Sequence, residues 1–251
     1  MAPFRAFGCP TTVYDWLIRA DAAERIPDMT GNKPSGVQIA WYQVAITERF
    51  SSVLYPLDVW QLLREITDIA YVVPNLLLST GQHEAGKPIA VKGDIELILD
   101  QDKKTIGVRG RDPEKVVESF QELRDFYTER LDPSSALATH YVEFEGQGWA
   151  RGRMSPIEVC SRFWANCDAI RNLGALLDAE VANFGIQLVP PEIDPNGPEW
   201  FHVAIAPLVP SSSSRYHVAW VWRGADIERL LKRFSGVNQT LQSLVLRLEA
   251  Q

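Results

Sequence analysis

The stretch VQIAWYQVAI, beginning at Val37, is apolar and β-branched enough to predict a strand. Val59, Leu62 and Leu63 then fall at helical spacing in PLDVWQLLREI, with Pro56 suited to the first turn. The period returns to two afterwards: AYVVPNLLLST, KPIAVKG, DIELILDQ and KTIGVRG predict up to four short strands. In the last two, Ile95, Leu97 and Leu99 alternate with Glu96 and Asp100, and Ile106 and Val108 alternate with Gly107 and Arg109. A turn at Asp102 and Lys103 that brings the apolar faces together sets Arg109 opposite Glu96. Asp112, Pro113 and Glu114 then form a helix start, and the helix is expected to run to about Leu131.

The same order returns. THYVEFEG predicts a strand, and PIEVCSRFWANC a helix opened by Pro156 that either continues towards Asn183 or breaks at Gly174. FGIQLV, WFHVAIAPL and YHVAWVW predict later strands, with PPEIDPNGP and PSSSS as loops, and Asp226 caps a final helix through about Leu248. Phe201, Val203 and Ile205 would face the core with Val218, Trp220 and Trp222, which places Arg223 opposite Trp200. Two phrases recur in order: PLDV at Pro56 returns as PIEV at Pro156, and VRGRDPEKVV at Val108 returns as WRGADIERLL at Trp222. The recurrence predicts an α+β fold by tandem duplication of a β-α-β4-α-like unit, an antiparallel sheet with helices packed on one face. An N-terminal arm at 1–35, with a short helix carrying Tyr14, Leu17 and Ile18, would precede a first repeat at 36–135 and a second at 136–251. The shared Arg-Gly-x-Asp-x-Glu phrase is then a strand-to-helix connection written twice.

This order, with the stretch DKKTIGVRGRDPEKVVESF as a hairpin plus helix, resembles the duplicated saddle of TATA-box-binding proteins. The resemblance implies a concave sheet that opens the DNA minor groove with paired phenylalanines and basic flanks. Here the expected open-face residues include Glu96 and Asp100 and no symmetric Phe pairs stand out, so the shape carries over and the DNA binding does not.

Composition narrows the classes further. A chain of 251 residues with 46% hydrophobic and 23% charged positions can bury a core unaided. A net charge of −7 argues against a general grip on nucleic acid or anionic lipid. With no long apolar run or signal-like N-terminus, and with three cysteines, Cys9, Cys160 and Cys167, a soluble protein of a reducing, cytoplasmic compartment is expected.

Candidate chemistry is sparse. GQGWARG carries Gly146, Gly148 and Gly152 between a strand and a helix, but lacks phosphate-loop spacing and reads as a glycine-rich turn. Cys160 and Cys167 are two turns apart on a continuous helix, too far to share zinc, and read as buried small hydrophobes. His202 and His217 alternate onto one face with Trp200, Ala204, Ala219 and Arg223, which makes that face the candidate pocket wall, although the register leaves the histidines offset. Eight tryptophans, among them Trp41, Trp60, Trp149, Trp164, Trp200, Trp220 and Trp222, suit packing first and an aromatic binding surface second. The leading expectation is a non-enzymatic protein that binds a protein partner or a second copy of itself, with no metal and no cofactor. The second is a small-molecule binder or enzyme using Trp200, His202, His217 and Arg223, with Arg109 as the counterpart in the first repeat; the third is a nucleic-acid-binding saddle.

Overall fold

Strand β1 (Gln38–Phe50) outruns its predicted end because Ile46 to Phe50 keep the alternation of buried and half-buried positions that a half-covered strand requires. The computed structural model describes residues 36–52, 54–75, 77, 87–131, 137–164, 167–179, 181, 184–191, 194–208 and 214–250, which belong to one unit beginning at Gly36. The predicted arm at 1–35, with Cys9, lies outside the described residues.

Helix α1 (Val59–Glu65) starts three residues after Pro56, because the Asp58 carboxylate accepts from the N–H groups of Trp60 and Gln61 at 2.9 and 3.1 Å and fixes the first turn there. A 3-10 turn (Ile66–Ile69) follows. Among the described residues of the predicted strand AYVVPNLLLST, a bridge between Val72 and Val91 stands in place of a ladder, since Pro74 has no N–H with which to extend one. Three strands are described between α1 and the next long helix, where four were expected: β2 (Pro88–Lys92), β3 (Ile95–Asp100) and β4 (Thr105–Gly110). They lead into α2 (Pro113–Arg130).

The later elements are β5 (Thr139–Arg151), α3 (Pro156–Trp164), α4 (Asp168–Leu177), β6 (Ile186–Leu188), β7 (Trp200–Pro207) and β8 (Arg215–Gly224), then α5 (Ile227–Ser235) and α6 (Val237–Glu249). Two helix expectations need correction. The helix from Pro156 stops at Trp164, ten residues before Gly174, and the single C-terminal helix is two, because the Gly236 N–H turns back to the carbonyls of Arg233 and Phe234 and closes α5. The glycine-rich turn is a third correction: Gly146 and Gly148 lie inside β5. A Cβ on Gly146 would stand 2.7 Å from the Trp41 ring, and one on Gly148 2.3 Å from the Ala40 carbonyl oxygen, so these glycines admit close neighbours.

All eight strands form one antiparallel sheet in the order β2-β3-β4-β1-β5-β8-β7-β6. On either side of the central β1–β5 pair the strands are arranged alike, each first strand inside and each second strand at the edge. The core occupies one face, where Phe120, Leu123, Phe144, Leu230, Phe234 and Leu241 join the inward residues of the strands. Both hairpin registers agree with the apolar pattern: Glu96 pairs with Arg109, and Trp200 with Arg223.

The two Arg-Gly-x-Asp phrases occupy matching positions. Asp112 caps α2 by accepting from the Glu114 N–H at 3.0 Å, and Asp226 caps α5 by accepting from the Arg229 N–H at 3.0 Å. A Cβ on Gly110 would lie 3.1 Å from Val116 of α2 and one on Gly224 3.2 Å from Leu230 of α5, so each glycine lets the returning helix approach its sheet. Replacing either aspartate by alanine is expected to cost about 1 kcal/mol in chemical unfolding, and equal losses at both positions check their equivalence.

Candidate functional site

The outer strands of the two halves are covered differently on the helix side. In the first half the segment between β1 and β2 buries Leu62, Leu63, Ile66, Tyr71, Val73 and Leu77 in the core, and Val72 reaches the edge strand. In the second half α3 packs against β7 and α6 and buries Val159 and Cys160, and the helix side of β6, β7 and β8 still holds a groove of about 610 Å³ between the sheet and α5–α6. It continues into a smaller pocket of about 210 Å³ that shares Leu188, Val203 and Leu244.

Strand alternation and helix phase build this groove. Phe201 and Trp222, on paired strands, stack with centroids 4.5 Å apart and planes at 12°, and Trp220 follows at 6.0 Å from Trp222. The indole N–H of Trp220 meets no acceptor among the described residues. On the helix side, α5 turns Leu230, Leu231 and Phe234 into the core, which leaves Arg229, Lys232 and Arg233 at the groove. Arg247 of α6 lines the smaller pocket.

The charges of the two halves contrast as well. Every basic residue of α2 is paired: Lys115 with Asp94, Arg124 with Glu48, Arg130 with Asp68. Arg229, Lys232, Arg233 and Arg247 have no carboxylate partner among the described residues, and no acidic residue lines either cavity. Arg233 instead lies 3.8 Å from the Trp222 ring centre. An apolar floor under unneutralised cations suits an apolar body that carries acidic groups.

The residues singled out from sequence lie on the opposite face. Arg223 is held there: its guanidinium bonds Glu143 at 2.5 and 2.8 Å, bonds the carbonyls of Pro195 and Gly197 at 2.7 and 3.2 Å, and stacks 4.3 Å from Tyr141 and 5.6 Å from Trp200. That set ties the loop before β7 to the sheet. Arg109 bonds its cross-strand neighbour Glu96 in the other half. Trp200 and His202 stack with centroids 6.1 Å apart, so Trp200, His202 and Arg223 are brought together. His217 is not, because His202 pairs with Val221 while His217 pairs with Ala206, four positions along the ladder. Glu145, exposed but at the middle of the sheet, has its carboxyl raised above the usual range by surrounding protein and then by Glu143.

Burial lowers the pKa of both histidines below the ordinary 6.5. A histidine with a lowered folded pKa binds fewer protons than in the unfolded chain, so its stabilisation is complete above about 6.5 and is lost as the pH falls through the folded value. Thermal unfolding should therefore shift to lower temperature below about pH 6.5, and replacing both by glutamine should flatten that limb of the profile.

The tryptophans divide as packing predicts, with Trp41, Trp149 and Trp220 buried and Trp60 47% exposed; the side chain of Trp164 lies outside the described residues. Cys160 is buried, which raises its thiol pKa, and no group of three or more His, Cys, Asp and Glu among the described residues is placed to hold a metal. No described helix is long and apolar enough to cross a membrane. No protein-family model, curated protein sequence or solved structure matches the chain.

Proposed function

We propose that the protein is a non-enzymatic binding protein, built from two copies of one α+β unit that have diverged in use. The first copy is closed by its own chain, and the second keeps its helix-side groove for a partner. The matched strand order about β1–β5 and the paired Asp112 and Asp226 caps support the duplication. The binding role rests chiefly on one observation: the basic residues of α2 are neutralised within the fold, whereas those of α5 and α6 have no carboxylate partner among the described residues and stand around an apolar groove. A protein segment with apolar side chains and carboxylates fits that surface, in the manner of a helix seated in a groove.

The test is recovery of the protein with its partners from its native cells, as wild type and as the double variant Lys232→Glu, Arg233→Glu. Both residues are exposed, so the variant should unfold within about 0.5 kcal/mol of wild type per position while losing its partners by ten-fold or more. Partners retained at wild-type levels by the folded double variant would contradict the reading.

A further inference from the structure

Helix α4 is the element most out of place in the fold. It follows α3 between β5 and β6, where the first half has the covering segment 59–77; α3 packs against β7 and α6 with Val159 and Cys160 buried, and α4 is the part of that connection that leaves apolar side chains outside. That covering segment buries Leu62, Leu63, Ile66, Tyr71, Val73 and Leu77 while leaving Trp60 and Val72 exposed, whereas Leu176 and Leu177 at the end of α4 are 82% and 67% exposed and Phe184 beyond them is 54% exposed. One chain thus leaves open both an apolar groove and the apolar helix whose topological place is over it.

We infer that α4 of a second copy fills the groove, and that the exchange is reciprocal, giving a two-fold dimer. This deepens the binding role proposed above and rests on it. The chain entering β6 is fixed at the sheet edge: a Cβ on Gly185 would lie 2.9 Å from Ala206 Cβ and 3.0 Å from the Ile205 carbonyl oxygen. That anchor holds the end of the α4 connection at the rim, while Leu176 and Leu177 stay turned to solvent. A second copy presents the same leucines to the groove, and a two-fold arrangement covers both grooves and both helices at once.

Charge supports the same occupant. Residues 168–184, DAIRNLGALLDAEVANF, carry three acids and one base, a net −2. The groove presents Arg229, Lys232, Arg233 and Arg247 with no acid among the described lining residues. Leucines meet the Phe201 and Trp222 rings, and carboxylates face cations that have no carboxylate partner among the described residues. Self-association of two acidic chains is otherwise opposed by their −7 charges, so an interface joining an acidic segment to a basic groove is where it is favoured.

Sedimentation of the full chain over about 1 to 100 μM tests the inference, with wild type expected to pass from monomer to dimer in that range. Two variants disable one side each: Leu176→Asp with Leu177→Asp for the helix, and Lys232→Glu with Arg233→Glu for the groove. Each alone should be monomeric with an unchanged circular-dichroism spectrum. Mixed together they should regain association, since one intact helix and one intact groove remain, and a synthetic 168–184 peptide should bind wild type and lose ten-fold or more against the groove variant. A wild type monomeric throughout overturns the inference, as does a dimer that survives the helix variant or a mixture that stays monomeric. If wild type is monomeric but native partners are still lost on groove charge reversal, the dimer is wrong and the groove reading stands. If partner recovery ignores charge reversal, the groove reading itself falls.

Discussion

Phe234→Ala is expected to lower the stability of the protein by about 3 to 5 kcal/mol. Phe234 is wholly buried on α5, and its ring stacks on that of Phe144 of β5, also wholly buried, with centroids 3.7 Å apart and planes at 14°. β5 is paired on both sides, with β1 and with β8, so neither strand nor ring can move into the vacated space without breaking a ladder. The cavity should therefore persist, and its cost adds to the lost transfer energy of the ring. Urea unfolding at constant slope checks this through the midpoint. A loss under about 1 kcal/mol would mean that α5 is not closely seated on the sheet, and with it the groove wall would be misplaced.

The second large effect is expected at Glu48, the one buried charged side chain among the described residues, 1% exposed on the core face of β1. The Tyr127 hydroxyl donates to its Oε2, the Thr139 hydroxyl to its Oε1, and Arg124 approaches at 3.3 Å. Burial first, and then the Glu48 charge, push the Tyr127 hydroxyl well above the ordinary tyrosine range, so it remains a donor. Glu48→Ala removes three partners at once, leaves the Tyr127 hydroxyl buried without an acceptor, and should cost about 3 to 5 kcal/mol. Glu48→Gln keeps the shape and an acceptor oxygen and should cost about half as much. Equilibrium unfolding of the pair provides the check: an alanine variant within about 1 kcal/mol of wild type would show that this cluster does not join α2 to the central strands.

Local and long-range features differ in how far the sequence reveals them. The hairpin registers, Glu96 with Arg109 and Trp200 with Arg223, follow from local alternation, because a two-residue period and a short turn leave few alternatives. The Asp112 and Asp226 caps were equally legible, since a capping bond spans two or three residues. Glu48 was not, because its donors lie 76, 79 and 91 residues away and nothing in ITERF distinguishes it from an exposed glutamate. Gly146 and Gly148 were mistaken for a turn for a related reason: what demands glycine there is Trp41 and the Ala40 carbonyl on a distant strand.

The groove was missed because it is made by a covering that one half has and the other lacks. Its local sign was present in ADIERLLKRFS, where Arg229, Lys232 and Arg233 flank the inward Leu230, Leu231 and Phe234. The absence of paired acids could be recognised only once the partners of α2 were known. His202, His217 and Arg223 share one face of the β7–β8 pair, as their alternation indicates. Arg223 is fully engaged in holding the 195–197 loop, however, and the histidines are separated along the ladder.

Footprinting of surface side chains by a photoactivated carbene, on the purified chain diluted to its monomer and on the same chain in its native complex, decides whether the groove is the binding surface. Protection is expected at Leu188, Phe201, Trp222 and Leu244 along the β6–β8 and α5–α6 groove, with Trp200 and His202 on the opposite face labelled equally in both states. Protection confined to Trp200 and His202, with the groove still labelled in the complex, would contradict it.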